Sequence, residues 1–106
     1  MTLVLSDGKV IGLNEDGFMN RPGEWDRIVA AALAKDQEGI ESLSQEHWAV
    51  IEFIRAYYLD HGQAPMVRNL CQSTRSTLRK IYELFPSGPA KGACKLAGLP
   101  KPDGCV

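Results

Sequence analysis

No stretch of this 106-residue chain approaches the ~18 apolar residues needed to cross a bilayer. Residues 1–10 also lack the basic start and long apolar core of a secretory signal, so a cytoplasmic location is expected. Cysteine is scarce, with three residues in all, and in a reducing compartment that argues against a structural disulfide framework. Histidine is scarcer still: His47 and His61 stand at no ligand-like spacing from each other or from a cysteine. With no C-x-x-C, no bound metal is expected. A phosphate-cradling glycine loop and a Ser-His-Asp pattern are both missing. Internal repeats and low-complexity tracts are absent too, and the length suits a single domain with no room for a second.

What is present reads as a strand pair followed by helices. Leu3-Val4-Leu5 and Lys9-Val10-Ile11 flank Asp7-Gly8, a dipeptide that supplies the positive φ angles of a tight hairpin turn. Asn14-Glu15-Asp16-Gly17 is a second turn, and beyond it the apolar period becomes helical. Pro22 suits the first turn of a helix, with Trp25, Ile28, Val29, Ala32 and Leu33 at helical spacing and Gly39 as the stop. Ser44 should cap a second helix with an apolar stripe of Trp48, Ile51, Ile54 and Tyr58, Val50 beside it, ending at Gly62. A third begins near Pro65 and runs through Val67 and Leu70. Thr74 or Ser76 could cap a fourth, carrying Leu78, Ile81, Tyr82 and Phe85. A fifth, short helix runs through Ala90, Ala93, Cys94 and Ala97 to Gly98. The fold class is therefore α+β and mostly α: a small bundle of about five helices with an N-terminal β-hairpin over residues 1–13. Residues 1–98 form the single domain. Pro100 and Pro102 forbid continued helix and favour an extended, flexible C-terminal arm over residues 99–106.

Charge is unevenly placed. Residues 1–61 hold eleven acidic and five basic side chains, whereas residues 62–106 hold two acidic and seven basic. Such a dipole either aids solubility or turns a basic half toward an anionic partner or substrate.

The chemistry worth testing lies in the cysteines. Cys94 sits on the last short helix and Cys105 is the penultimate residue. A disulfide requires Cα atoms roughly 4.4–6.8 Å apart. The seven residues from Gly98 to Cys105 can span up to ~23–25 Å, while the return along the helix to Cys94 is only ~6 Å, so the arm can close on Cys94 or point away. Thiolate attack on a bonded sulfur proceeds through a mixed disulfide that a second thiol resolves. Lys91, Lys95 and Lys101 surround the pair with positive charge that favours thiolate, and the terminal carboxylate after Val106 opposes this at Cys105. The plainer alternative makes Cys94 a packing residue and Cys105 an idle terminal thiol. Cys71, beside Leu70, reads as a small buried hydrophobe. His47 and His61, near opposite ends of one helix, read as solvated, with His61 suited to the helix dipole.

These same segments resemble the DsrC/TusE family. The resemblance is carried by Phe85-Pro86-Ser87-Gly88-Pro89-Ala90-Lys91, by Ala97-Gly98-Leu99-Pro100-Lys101-Pro102, and by the penultimate Cys105. Earlier matches are Asp16-Gly17-Phe18, Tyr57-Tyr58, Gly62, Ala64-Pro65 and Val67-Arg68 with Leu70. In effect the likeness covers the whole chain. It implies a helix-turn-helix-like fold and a protein co-substrate rather than a stand-alone enzyme. Sulfur from the siroheme site of dissimilatory sulfite reductase would pass to Cys105. Cys94 would join it in a trisulfide, to be reduced by a membrane-bound thiol/disulfide-type reductase complex. In the opposite direction Cys105 would carry a persulfide toward the reductase from an upstream sulfurtransferase. The chain would need no cofactor of its own, siroheme and iron–sulfur clusters belonging to its partners. Lys91, Lys95, Lys101 and Arg68 would serve anionic sulfur or partner surfaces. Family members with the penultimate cysteine alone resemble the sulfur relay of tRNA thiolation, whereas this chain has both cysteines. It lacks the extra residues that some members carry between the Val-Arg-x-Leu helix and the Tyr-x-Leu-Phe-Pro segment, which resembles the sulfate-reducer type.

A rival reading takes the third and fourth helices as a DNA-binding helix-turn-helix regulator. Arg75, Arg79 and Lys80 would then face phosphate on nucleic acid.

Overall fold

A computed structural model describes residues 1–100 of the chain. It opens with an antiparallel pair, β1 (Thr2–Val4) and β2 (Val10–Gly12), with Leu3 opposite Ile11. Leu3 and Ile11 face the core while Val4 and Val10 face outward, the alternation expected of a sheet with one wet face. The hairpin loop is one residue longer than the tight Asp-Gly turn expected. Gly8 N–H donates to the Leu5 carbonyl at 2.9 Å and Leu5 N–H to Lys9 at 2.8 Å, and of the loop residues only Gly8 has positive φ. That is a type I turn closed by a left-handed glycine, which requires nothing unusual of Asp7.

After the Asn14–Gly17 turn the chain returns through a Leu13–Met19 bridge. Pro22 does open a helical turn, but only a short 3₁₀ segment, Pro22–Glu24. The first full helix, α1 (Arg27–Glu38), starts afresh with Asp26 accepting from Val29 N–H. It buries Val29, Ala30, Leu33 and Ala34. Ile28 lies across the helix from that face and is 66% exposed, against the expected stripe. Helix α2 (Gln45–His61) is capped by Ser44 and ends at Gly62 with φ 73°, both as expected. Its buried line is Val50, Ile51 and Ile54, with Trp48 and Tyr58 half-buried beside it.

Helix α3 (Val67–Thr74) starts two residues after Pro65, and Arg75 closes it in the left-handed region at φ 54°. A turn over residues 75–77 leads to α4 (Leu78–Leu84), giving the helix-turn-helix-like pair. The cap of α4 is Thr77, which accepts from Lys80 N–H, rather than Thr74 or Ser76; the Thr74 hydroxyl is instead donated to the Leu70 carbonyl at 2.7 Å. Ile81, Leu84 and Phe85 enter the core, while Leu78 and Tyr82, expected there, are about half exposed.

The fifth helix is wider than expected: Pro89–Cys94 is a π-helix, followed by Lys95 and Leu96 in α-helical conformation. It ends in a Schellman motif. Gly98 N–H donates to Lys95 at 3.0 Å and Leu99 N–H to Cys94 at 3.3 Å, with Gly98 at φ 77°. Leu99 is thereby turned into the core and is 1% exposed, so it belongs to the domain rather than to the arm that was expected to start there. Lys101–Val106, where the rest of that arm and Cys105 fall, lies outside the described residues. Among the described residues no helix is long and apolar enough to cross a membrane.

A methyl group on Gly98 would adopt a left-handed backbone and run into the Trp25 indole. Those two penalties are about 1–2 kcal/mol and about 1–3 kcal/mol. Gly98→Ala should therefore lower unfolding stability by about 2–5 kcal/mol in urea titration; a loss below 1 kcal/mol would show that the turn relaxes freely.

Candidate functional site

Cys94 occupies the last turn of the π-helix, a helix type concentrated at functional sites because its extra residue per turn re-aims a side chain. The segment is held from both ends. Upstream, α1 supplies Glu38, whose carboxylate accepts from Ser87 N–H at 3.1 Å and from the Ser87 hydroxyl at 2.6 Å. Gly88 follows at φ 88°, packed so closely on Tyr82 that a Cβ would fall 2.8 Å from the ring. His47 closes the same corner. Its Nδ1 accepts from Ser44 N–H at 3.1 Å, which leaves Nε2–H to donate to the Leu84 carbonyl at 2.9 Å, with the ring edge-on to Phe85. His47 is thus half-buried and structural rather than solvated. His61 does sit exposed at its helix end, stacked on Tyr57.

Downstream, Trp25 Nε1–H donates to the Leu96 carbonyl at 2.8 Å. Arg55 reaches across from α2 and donates to the carbonyls of Ala97 at 3.3 Å, Gly98 at 3.4 Å and Pro22 at 2.9 Å. Its guanidinium stacks over Trp25 at 4.9 Å and near Tyr58 at 5.9 Å. Burial lowers the Arg55 pKa from its ordinary value, with Tyr58 acting in the opposite sense. Sequence reading missed Arg55. A lone arginine on the flank of an apolar helix carries no motif, and its only signal was that it interrupts the aromatic side of α2.

The Cys94 thiol is 2% exposed, and burial pushes its pKa up to about 12. The lysines were expected to favour thiolate here, and at Cys94 they do not. Lys91 is exposed. Lys95 is buried, its ammonium drawn over the Phe18 ring at 5.3 Å. Among the described residues desolvation of the thiolate is the effect that decides its pKa, with no charge offsetting it. Lys101 and Cys105 lie outside the described residues, so the two cysteines are not seen together. Cys71 is half-buried against the core.

The other basic residues singled out in the sequence lie on α3, its C-terminal cap and α4. Arg68 is exposed on α3. Arg75 serves as the left-handed cap of α3, Arg79 is exposed on α4, and Lys80 pairs with Glu46 at 3.2 Å. Arg75 and Lys80 border an open cleft of about 360 Å³ together with Glu46 and Thr77. Among the described residues no cluster of His, Cys, Asp and Glu is arranged to hold a metal ion.

A small helix-turn-helix-like domain with a buried thiol under its last turn is the class that fold and site define. The chain belongs to the DsrC family: the family model described as DsrC like protein matches residues 6–106. It is 48% identical to the dissimilatory-type sulfite reductase subunit gamma of Nitratidesulfovibrio vulgaris, with both chains covered completely. It is 39% identical to the sulfurtransferase TusE of Salmonella paratyphi A over 111 aligned positions, covering 98% of this chain and 100% of the relative. Among solved structures, the oxidized gamma-subunit of dissimilatory sulfite reductase (DsrC) from Archaeoglobus fulgidus superposes with a TM-score of 0.91 at 45% identity, both chains covered completely.

Two outcomes follow from the buried thiol. In a variant retaining only Cys94, alkylation at pH 8 should be at least 100-fold slower in the native protein than in urea; comparable rates would mean that the sulfur is freely reached. The fold favours the protonated thiol, so this group's contribution to stability is fully present below its unfolded pKa near 9 and is lost as pH rises toward 12. Stability relative to Cys94→Ala should thus fall by about 1.4 kcal/mol per pH unit above that point, read from urea midpoints between pH 8.5 and 10.5.

Proposed function

We propose that this chain is a sulfur-carrying co-substrate in which Cys105 accepts sulfur and Cys94 resolves it. The observation that carries the reading is the Schellman turn. Leu99 N–H is bonded to the carbonyl of Cys94 itself, so the chain beyond Leu99 sets out from beside the buried thiol. Six further residues reach Cys105, a span of up to ~20 Å when extended, ample for return to Cys94 or for insertion into a partner. The full-length likeness to a sulfite reductase gamma subunit and to TusE supports the same reading.

The burial of Cys94 fits the resolving role. With a pKa of about 12, on the order of 10⁻⁵ of the thiol is ionised at pH 7, so it does not compete for sulfur in the resting protein. Sulfur would be loaded at Cys105. Two thiols and one sulfur atom delivered at the S(II) level combine into a Cys94–S–Cys105 trisulfide with release of two protons. Addition of four electrons and four protons returns both thiols and hydrogen sulfide. The electrons would come from a membrane-bound thiol/disulfide-type reductase, and siroheme and iron–sulfur chemistry would reside in dissimilatory sulfite reductase. In the oxidative direction Cys105 alone would carry a persulfide received from an upstream sulfurtransferase. The likeness to TusE favours a second reading, a relay through Cys105 that leaves Cys94 idle.

Intact-protein mass spectrometry after turnover with dissimilatory sulfite reductase distinguishes them. The wild type should gain one sulfur and lose two hydrogens, Cys94→Ser should gain one sulfur only as a persulfide, its two further electrons coming from the reductant that drives turnover, and Cys105→Ser should gain nothing. Full sulfide release by Cys94→Ser would favour the Cys105 relay, and no mass change in any sample would overturn the carrier role.

A further inference from the structure

Arg55 makes more contacts to the end of the domain than any sulfur chemistry on Cys94 itself requires. Its three hydrogen bonds go to backbone carbonyls, two of them on Ala97 and Gly98 and the third on Pro22. The Trp25 ring on which it stacks donates in turn to Leu96. Three consecutive carbonyls of the last turn are therefore held by two side chains drawn from elsewhere in the fold. The C-terminal carbonyls of a helix have no partners within it, and in most helices water serves them. Here a planar guanidinium and an indole take that place, and both donors are locked by stacking on each other.

We propose that Arg55, supported by Trp25, is a positioning residue for the thiol pair: it fixes the point and direction from which the chain beyond Pro100 departs. It thereby sets the effective concentration of Cys105 at Cys94. The inference rests on the pairing of these two cysteines argued above. Without the clamp the last turn is free to fray, and the span between the last fixed residue and Cys105 lengthens from about six residues to about eleven. Loop-closure entropy alone then lowers the effective concentration about two- to threefold, and loss of the fixed departure direction lowers it further. Lysine at position 55 keeps the charge but lacks the planar fork, so one ammonium cannot serve carbonyls on both sides of the guanidinium.

The readout is the equilibrium between the full-length protein and glutathione. Cys94 and Cys105 thiols give up two electrons and two protons to glutathione disulfide, forming one protein disulfide and two reduced glutathiones. Peptide mapping locates the bond, and the equilibrium constant is the effective molarity. Arg55→Gln should show a fall of threefold or more, Arg55→Lys should not restore it, and Trp25→Phe, which keeps the ring but loses the N–H, should fall in the same direction. Leu3→Ala, a core change on the hairpin, serves as a stability control and should leave the value unchanged. Equal values in wild type, Arg55→Gln and Trp25→Phe would overturn the inference. So would an equal fall in Leu3→Ala, since global loosening would then account for it. If Arg55→Gln does not fold, Trp25→Phe and Arg55→Lys decide on the same criterion. Failure of the wild type to form the Cys94–Cys105 bond would instead remove the pairing itself, and the inference with it.

Discussion

The hydrogen bond from Leu99 N–H to the Cys94 carbonyl ties the end of the fold to its chemistry. It exists because Gly98 takes a left-handed conformation that residues with a side chain reach only at a cost of about 1–2 kcal/mol. One change of hand ends the helix, throws Leu99 into the core and starts the next residues beside Cys94. Burying Leu99 contributes about 2 kcal/mol of hydrophobic stabilisation, enough to hold the reversal against fraying. The sequence Ala97-Gly98-Leu99-Pro100 is accordingly a complete stop signal: a left-handed residue, an apolar residue to bury, and a proline that bars renewed helix.

Burial governs the reactivity that this geometry leaves to Cys94. Raising a thiol from 9.0 to about 12 corresponds to roughly 4 kcal/mol against ionisation. An exposed charge such as Lys91 offers at most about 1 kcal/mol in compensation, and Lys95 directs its charge toward the face of Phe18. Charge counts along the sequence therefore overstate how much of the field reaches the sulfur. The magnitude also separates the two cysteine positions chemically, since a thiol held in its neutral form in the domain complements one carried at the chain end.

Much of the fold was legible because local chemistry decided it. Ser44, Gly39 and Gly62 are caps whose roles follow from hydroxyl acceptors and left-handed glycines, and each stands where expected. The misplacements share one cause. Ile28, Leu78 and Tyr82 fit a helical period, yet periodicity does not say which side of a short helix meets the core. In α1 the restart at Asp26 turned the buried face to Val29, Ala30, Leu33 and Ala34. Of the candidate site, the sequence pointed to Cys94 and to the end of its helix at Gly98, while Cys105 lies outside the described residues. The site was illegible in Arg55, Trp25 and His47, because each acts on backbone carbonyls 33 to 71 residues away. Backbone acceptors carry no sequence signature, so a side chain that serves them looks like any other polar or aromatic residue until the chain is folded.

The two sets of long-range contacts bracket Cys94 in a way that bears on how a thiol can be both protected and useful. Glu38 and His47 fix the entry corner around Ser87 and Leu84, while Trp25 and Arg55 fix the exit from Leu96 to Gly98. Between these points the π-helix has little freedom, so Cys94 has a defined position. A reactive pair gains rate from proximity only if at least one member is held in place. In the pairing proposed above, the buried member would be the fixed one and would act as the reference to which Cys105 returns. Two thiols both placed on helices would close fast but reach no partner. Two thiols both placed on tethers would gain reach at the expense of effective concentration.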